Sequence, residues 1–343
     1  MKTDKTFLSY HQIADQDVVV VDGLHPQKTV LSHWKGANVH AEVEADTSGE
    51  IAINAIEKGF PGVEAPYVSA THFDIDGFVG VFALFYPELT LKYKSAMIEM
   101  ARIGDFREYL PKNEGSDLAL KLCCWMNKVE KDMFYRPFEE KDEIKSCVPK
   151  FEYFLKIFPD VLQQIDQYKT DWEAEYMRVK EDMHLLQEEE RVNELGLIIR
   201  KAAQPLHYYA LFSETEGLDM VLSIYPSNRY ELECKYTTWI DLASRPNLPR
   251  VDLRPLAEQL NQIEASEQIW EVDRITDTGP ILRLESKKLH KAERYAHPFE
   301  REIYGSSIEE VEFVKLVKEF LKKGFEGIKP KRFWTWKEMK AGA

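Results

Sequence analysis

The sequence predicts an α/β protein with an N-terminal parallel-sheet layer, a helical middle segment and a C-terminal α+β part. Three observations carry that reading. Short β-branched or apolar runs near 17–22, 29–33 and 65–71 alternate with helix-like stretches, the strand–helix–strand–helix rhythm of parallel strands. From Asp117 to about Arg200 the chain reads as mostly helical. Past Pro205, β-rich runs return with turn residues between them. The matching division is 1–115, 116–203 and 204–343, a natural partition of 343 residues.

Asp17–Asp22, with four consecutive valines, predicts a buried strand with Asp22 at its carboxyl end. Thr29–His33 reads as a second strand, and Val39–Val43 alternates weakly. Asp46-Thr-Ser-Gly-Glu50 starts a helix: Asp46 or Thr47 can cap it, and Glu50 stands three residues after Thr47, as a capping box requires. That helix carries Ile51, Ala55 and Ile56 and stops near Gly59. Ala65–Thr71 is the next strand and Gly77–Tyr86 the next helix. Leu89–Arg102 predicts a helix ended by Gly104, with Asp105 directly after it. Trp172, Tyr176, Val179, Met183 and Leu186 step by four and three, a heptad seam, and Glu188–Glu190 reads as a solvated helix face. Met220–Tyr225 and Arg229–Ile240 predict strands joined by a turn at 226–228. Trp270–Arg274 and Ile281–Glu285 predict two more, with a helix over 255–265 and a final one over 311–323.

Composition narrows the function. A net charge of -14 repels the phosphate backbone and argues against duplex nucleic acid, while leaving room for a local pocket for a small anion. The longest apolar run, Gly77–Pro87, is too short to span a bilayer, and the first residues lack a secretory pattern. Four cysteines without metal spacing fit a reducing, cytoplasmic setting.

The chemistry concentrates at Ala70–Phe82. His72, Asp74 and Asp76 are two apart, so on extended chain they share one face at a strand end. Neighbouring carboxylates repel unless a cation or proton lies between them, and mixed oxygen and nitrogen donors suit a hard divalent ion. His72, Asp74 and Asp76 are therefore the candidate catalytic and metal-ligating residues; the plain alternative is a capped turn before Gly77 with a solvated histidine. In open parallel sheets, sites form outside the carboxyl ends of the strands, where Asp22 also falls.

Thr71-His-Phe-Asp-Ile-Asp-Gly77 resembles the first motif of the DHH phosphoesterase superfamily, which includes RecJ-type exonucleases, oligoribonucleases and manganese-dependent pyrophosphatases. Val18-Val-Val-Val-Asp22-Gly-Leu-His25 is similar to the strand ending in that superfamily's Asp-His-His signature, and Asp46-Thr-Ser-Gly-Glu50-Ile is similar to the helix start that follows it. The order is permuted, since the signature-like part comes first. The whole chain also looks like an uncharacterised bacterial protein family. The resemblance implies Asp22, His25, His72, Asp74, Asp76 and Asp105 as ligands of Mn²⁺ or Mg²⁺, and a phosphoester substrate approached by the helix N-terminus at Ser48. His25 reads equally as a loop histidine before Pro26, and Asp105 as a carboxylate at a helix end.

Ser244–Arg254 places Arg245, Arg250 and Arg254 within ten positions of an acidic chain. Arginine forks suit phosphate, so these are the candidate substrate-binding residues; surface ion pairing is the alternative. His207 is a further substrate-side candidate or a core histidine. The basic, aromatic 329–337 stretch reads as a tail folding back onto the body. The expectation is thus a cytoplasmic, divalent-metal-dependent hydrolase, a phosphoesterase acting on a small phosphorylated or nucleotide-like anion. The alternative is a non-catalytic binding or scaffold protein, with homodimer association through the heptad seam. The metal reading requires Asp22, Asp74 and Asp76 to face one cleft.

Overall fold

Val18–Val21, buried throughout, has strand partners on both sides because every one of its side chains is a β-branched hydrophobe. It belongs to a computed structural model that describes residues 2–134, 143–287 and 289–341. The chain forms two units, Met1–Arg178 and Val179–Ala343.

In the first unit the strands are β1 (Thr6–Phe7), β2 (Val18–Val21), β3 (Thr29–Leu31) and β4 (Tyr67–Ala70), all parallel in the order β1-β4-β2-β3. Helix α1 (Ser48–Lys58) connects β3 to β4. Thr47 caps it, accepting from the Glu50 N–H, and Gly59 closes it in the left-handed region at φ 59°. Helix α2 (Ile75–Phe85) is buried on every face, as its near-continuous apolar sequence demands. Its Phe78 and Phe82 pack against Phe158, and Phe78 against Phe154.

Helices α3 (Pro87–Lys92), α4 (Lys94–Phe106), α5 (Ser116–Met133), α6 (Glu143–Gln163) and α7 (Lys169–Met183) follow. The helix expected over 89–102 is two helices, separated at Tyr93. Gly104 does not stop α4. A Cβ there would lie 2.4 Å from the Ile75 Cβ, so this glycine lets α4 approach α2, and the stop comes at Arg107, φ 59°. Asp105 is consequently in the last turn of a helix rather than beyond it.

The boundary between the units falls within α7. The expected heptad seam ends with that helix, because Leu186 belongs to a strand, and Trp172 and Val179 are buried within the chain's own fold. Positions 135–142 of the helical expectation lie outside the described residues. Val39–Val43 forms a turn closed by Val43 N–H to His40 C=O, 3.0 Å, and not a strand.

The second unit holds β5 (Leu186–Val192), β6 (Leu197–Ala202), α8 (Tyr208–Leu211), β7 (Met220–Tyr225), β8 (Arg229–Cys234), α9 (Arg254–Ile263), β9 (Ile269–Val272), β10 (Ile281–Glu285), α10 (Lys291–Arg294), α11 (Glu310–Gly324) and α12 (Trp336–Ala341). Its six strands run β5-β6-β7-β8-β10-β9, antiparallel except for β6 with β7. Leu222, Leu232 and Leu282 face α9 and α11 through Leu256, Leu260, Phe313 and Val317. Glu188–Glu190 lies exposed on edge strand β5, not on a helix; carboxylates along a sheet edge oppose pairing with another chain. The tail folds back within this unit: Asn247 and Lys331 exchange backbone hydrogen bonds of 3.1 Å, and Trp334 Nε1 donates to the Asn247 carbonyl at 2.8 Å. Among the described residues, no helix is long and apolar enough to cross a membrane.

Candidate metal centre

Val21 pairs with Leu31 on one side and Ala70 on the other, so β2, β3 and β4 end level. The next residues are Asp22 after β2, Ser32 and His33 after β3, and Thr71 and His72 after β4. The chain leaves β2 for β3 on one side and then returns through α1 to β4 on the other. That reversal opens a crevice at the strand ends, the usual ligand position in such a sheet.

Two helix N-termini converge on the same spot. Asp74 caps α2, its Oδ1 accepting from Gly77 N–H at 2.7 Å. Asp76, fully buried, accepts from the Ser48 and Gly49 N–H groups of α1 at 2.9 and 2.7 Å. Ser48 Oγ donates to Asp22 Oδ1 at 2.7 Å. With Glu50 N–H donating to Thr47, the first amides of α1 are consumed by the chain itself. The expected phosphate seat at Ser48 is therefore taken by Asp76, and Ser48 orients Asp22. Asp22 adopts φ 47°, a left-handed conformation that costs a non-glycine residue energy and collects at functional sites.

The side chains form two groups that share Asp22. In the outer one, His72 Nε2 lies 3.3 Å from Asp22 Oδ2 and 3.1 Å from Asp74 Oδ2. In the inner one, His33 Nε2 lies 3.5 Å from Asp22 Oδ1 and 3.8 Å from Asp76 Oδ2. In each group one ligand atom per residue lies within 4.8 Å of the others. Asp105 Oδ2, buried and without a hydrogen-bond partner, is 3.9 Å from His33 Nε2. Donors about 2.1 Å from one ion sit about 3.0 Å apart on an octahedral edge and about 3.4 Å on a tetrahedral one, so this spacing accommodates cations. His33 Nδ1 lies 2.7 Å from the Asp46 carbonyl. A carbonyl only accepts, so Nδ1 carries a proton, and the ring in its neutral form would offer its Nε2 lone pair to the cluster, as ligating histidines do.

The electrostatics match. Burial, with Asp74 nearby, raises the Asp22 pKa. Burial also holds Asp76 and Asp105 well above the usual carboxylate range, with other carboxylates adding to the effect. Burial disfavours the His72 imidazolium, but Asp74 and Asp22 outweigh it and hold its pKa up at about 10. For Asp74 burial is likewise overcome, by His72 and the Gly77 N–H, and its pKa falls. The cluster thus lacks positive charge and recruits protons to supply it.

The structure brings Asp22, His72, Asp74, Asp76 and Asp105 together. His25 stands apart: its Nδ1 accepts from Gln27 N–H at 3.2 Å, and its ring edge meets Tyr10. In its place stands His33, which the sequence offers, with His40, only as a spare ligand although it closes the second predicted strand and parallel pairing puts that end beside Asp22. The arginines have partners inside the second unit. Arg245 forks onto Asp219 at 2.6 and 3.1 Å. Arg250 is buried, donating to Thr238 Oγ1 and to the carbonyls of Ile275, Asp277 and Thr278. Arg254 pairs with Asp252. Each guanidinium is thus engaged by the chain's own carboxylates or carbonyls, with Arg254 left 65% exposed. His207 is buried at the start of α8, its Nδ1 accepting from Tyr209 N–H.

Fold and cluster define an α/β protein with a histidine–carboxylate centre at the ends of parallel strands. The chain belongs to DUF6687, a family of unknown function, whose profile matches residues 3–332. Comparison with curated proteins and with solved structures gave no match.

Proposed function

We propose that the first unit carries a two-ion, divalent-metal-dependent hydrolase site, with Mn²⁺ or Mg²⁺ as the ions and a small phosphorylated or nucleotide-like phosphoester as substrate. The observation that carries the reading is the Asp22 carboxylate, whose two oxygens face two different histidine groups. A carboxylate shared by two candidate ion groups fits a pair of neighbouring ions, which would stabilise the attacking and leaving oxygens of an in-line phosphoester displacement. The resemblance of Thr71–Gly77 and Val18–Asp22 to the DHH phosphoesterases supports the same chemistry.

His33 and Asp76, with Asp105 beside them, would hold the inner ion; His72 and Asp74, with side chains 25% and 36% exposed, would hold the outer ion where substrate arrives. Two bound ions supply charge for the phosphoryl oxygens and lower the pKa of a water. The protein's own groups do the positioning. Ser48 fixes Asp22, the α1 amides fix Asp76, and the Asp46 carbonyl fixes the His33 ring. To serve as a ligand, His72 would release its Nε2 proton to solvent.

The test is metal analysis and Mn²⁺ titration of the full chain, with a screen of phosphomonoesters and phosphodiesters. Wild type binds Mn²⁺ and cleaves one class; Asp22→Asn and the Asp74→Asn plus Asp76→Asn double variant lose both. Mn²⁺ binding that survives these changes refutes the assignment.

A further inference from the structure

The two loops that leave the metal-centre strands border an open cavity of about 690 Å³. It lies between the β2–β3 loop, through Leu24, His25 and Lys28, and the β3–α1 loop, through Val39 and His40, with Phe60 closing one side. Leu24 is two residues beyond Asp22, and Leu31, also in the wall, is two residues before His33. Consecutive Cα atoms are about 3.8 Å apart, so the wall begins within about 8 Å, Cα to Cα, of the ligands at two separate points. Small-molecule pockets occupy roughly 300–1,000 Å³.

Its lining selects anions. The chain has 59 acidic residues against 45 lysines and arginines, yet no carboxylate is among the described residues that line the cavity, while Lys28, His25 and His40 are. Both histidines are oriented alike: His25 Nδ1 accepts from Gln27 N–H and His40 Nδ1 from Glu42 N–H, at 3.2 and 3.3 Å. A ring whose Nδ1 accepts presents Nε2–H as a donor; the Glu42 carboxylate, outside the lining, lies 3.7 Å from the His40 Nδ1. Lys28 adds an ammonium, one of whose donors goes to the Gln16 carbonyl. Leu24, Val39 and Phe60 supply apolar surface, and the Phe60 ring lies 5.6 Å from that of His40. Donors beside an aromatic and aliphatic wall suit an anion with a planar body.

We infer that this cavity binds a nucleoside monophosphate-class organic phosphate through Lys28, His25 and His40, with its ring against Val39 and Phe60. As the substrate seat of the metal centre the inference rests on the proposed function; the binding itself needs no ion. The histidine expected as a metal ligand, His25, then serves the organic anion.

The test is calorimetric titration of the full chain, in EDTA, with AMP, adenosine and inorganic phosphate, on wild type, Lys28→Met and Val39→Trp, the last chosen to fill the cavity. AMP is expected to bind wild type, with adenosine and phosphate each weaker. Loss of the charged donor in Lys28→Met weakens AMP binding about 10- to 100-fold. Val39→Trp does so without touching charge, and circular dichroism checks that both variants fold. No AMP binding to wild type, or wild-type affinity in both variants, overturns the inference. Adenosine or phosphate binding as tightly as AMP overturns it too. Mn²⁺ titration of the same wild-type preparation separates the two claims: AMP binding without Mn²⁺ binding refutes the metal centre and leaves the cavity standing, and the reverse result does the opposite.

Discussion

Ser48→Ala removes one atom from the metal centre that is not itself a proposed ligand. Ser48 Oγ donates to Asp22 Oδ1 at 2.7 Å and accepts from His33 N–H at 3.3 Å, and the residue is fully buried. A hydrogen bond to a charged group contributes about 1.5–3 kcal/mol, which converts to about 10- to 150-fold in a binding constant. Groups that orient metal ligands are independently worth about 10- to 100-fold in affinity. The variant should therefore bind Mn²⁺ about 10- to 100-fold more weakly by isothermal titration calorimetry. Thr47→Ala is the control. It removes the α1 cap, costs about 1 kcal/mol of stability, and leaves every proposed ligand with its partners. If Ser48→Ala binds as wild type does, or Thr47→Ala loses as much affinity, Ser48 does not position Asp22 and the argument fails.

Other perturbations separate the remaining claims. His33→Ala should weaken Mn²⁺ binding by at least about tenfold while His25→Ala leaves it unchanged; the opposite ranking in the same titration would restore His25 as a ligand. Lys150 is buried and pairs with Glu130, itself raised in pKa by burial, so Lys150→Met should destabilise by about 3–5 kcal/mol in urea unfolding, and a loss below about 1 kcal/mol would contradict a buried pair. Burial alone would raise the Glu264 pKa, but hydrogen bonds from Ser306, Ser307 and Ser266 hold it down at about 2. A depressed folded-state pKa contributes stability that is full above the ordinary value of 4.5 and is lost as pH falls towards 2; Glu264→Gln should flatten the stability profile across that window, and an unchanged slope would refute the role.

Much of the first unit was legible because its signals are local. The valine run of β2 and the Thr47 cap with Glu50 three residues on each report a near-neighbour rule; His72, Asp74 and Asp76 do reach the centre, but not as one face of an extended chain, because β4 ends at Ala70, Asp74 caps α2 and Asp76 lies in its first turn. What failed were inferences that need a partner. Gly104 reads as a helix stop until Ile75 is known to press against it. Glu188–Glu190 carries the same polarity on a helix face as on an edge strand. His25 and His33 both follow strands by a few residues; only the register, which aligns Leu31 with Val21, says which one reaches Asp22. Arg245 and Arg250 looked available because their partners, Asp219 and the 275–278 carbonyls, are distant in sequence.

The same register explains why the centre should respond to ions as a folding element. The level strand ends, the α2 N-terminus and the last turn of α4 crowd Asp22, Asp74, Asp76 and Asp105 together, and Asp22 does so at φ 47°. Backbone strain of that kind costs about 1–3 kcal/mol, and raised carboxyl pKa values add a penalty for every charge formed. A ligand that binds only the folded state returns about 2.7 kcal/mol at a hundredfold excess over its Kd. For a unit of this length each kcal/mol shifts Tm by about 2–4 °C, so saturating Mn²⁺ should raise the first unit's transition by about 5–10 °C in scanning calorimetry. Asp22→Asn should abolish the shift, since it removes the shared ligand of both groups. A wild-type transition that ignores Mn²⁺, or an equal rise in the variant, would mean that the carboxylates meet for reasons other than an ion.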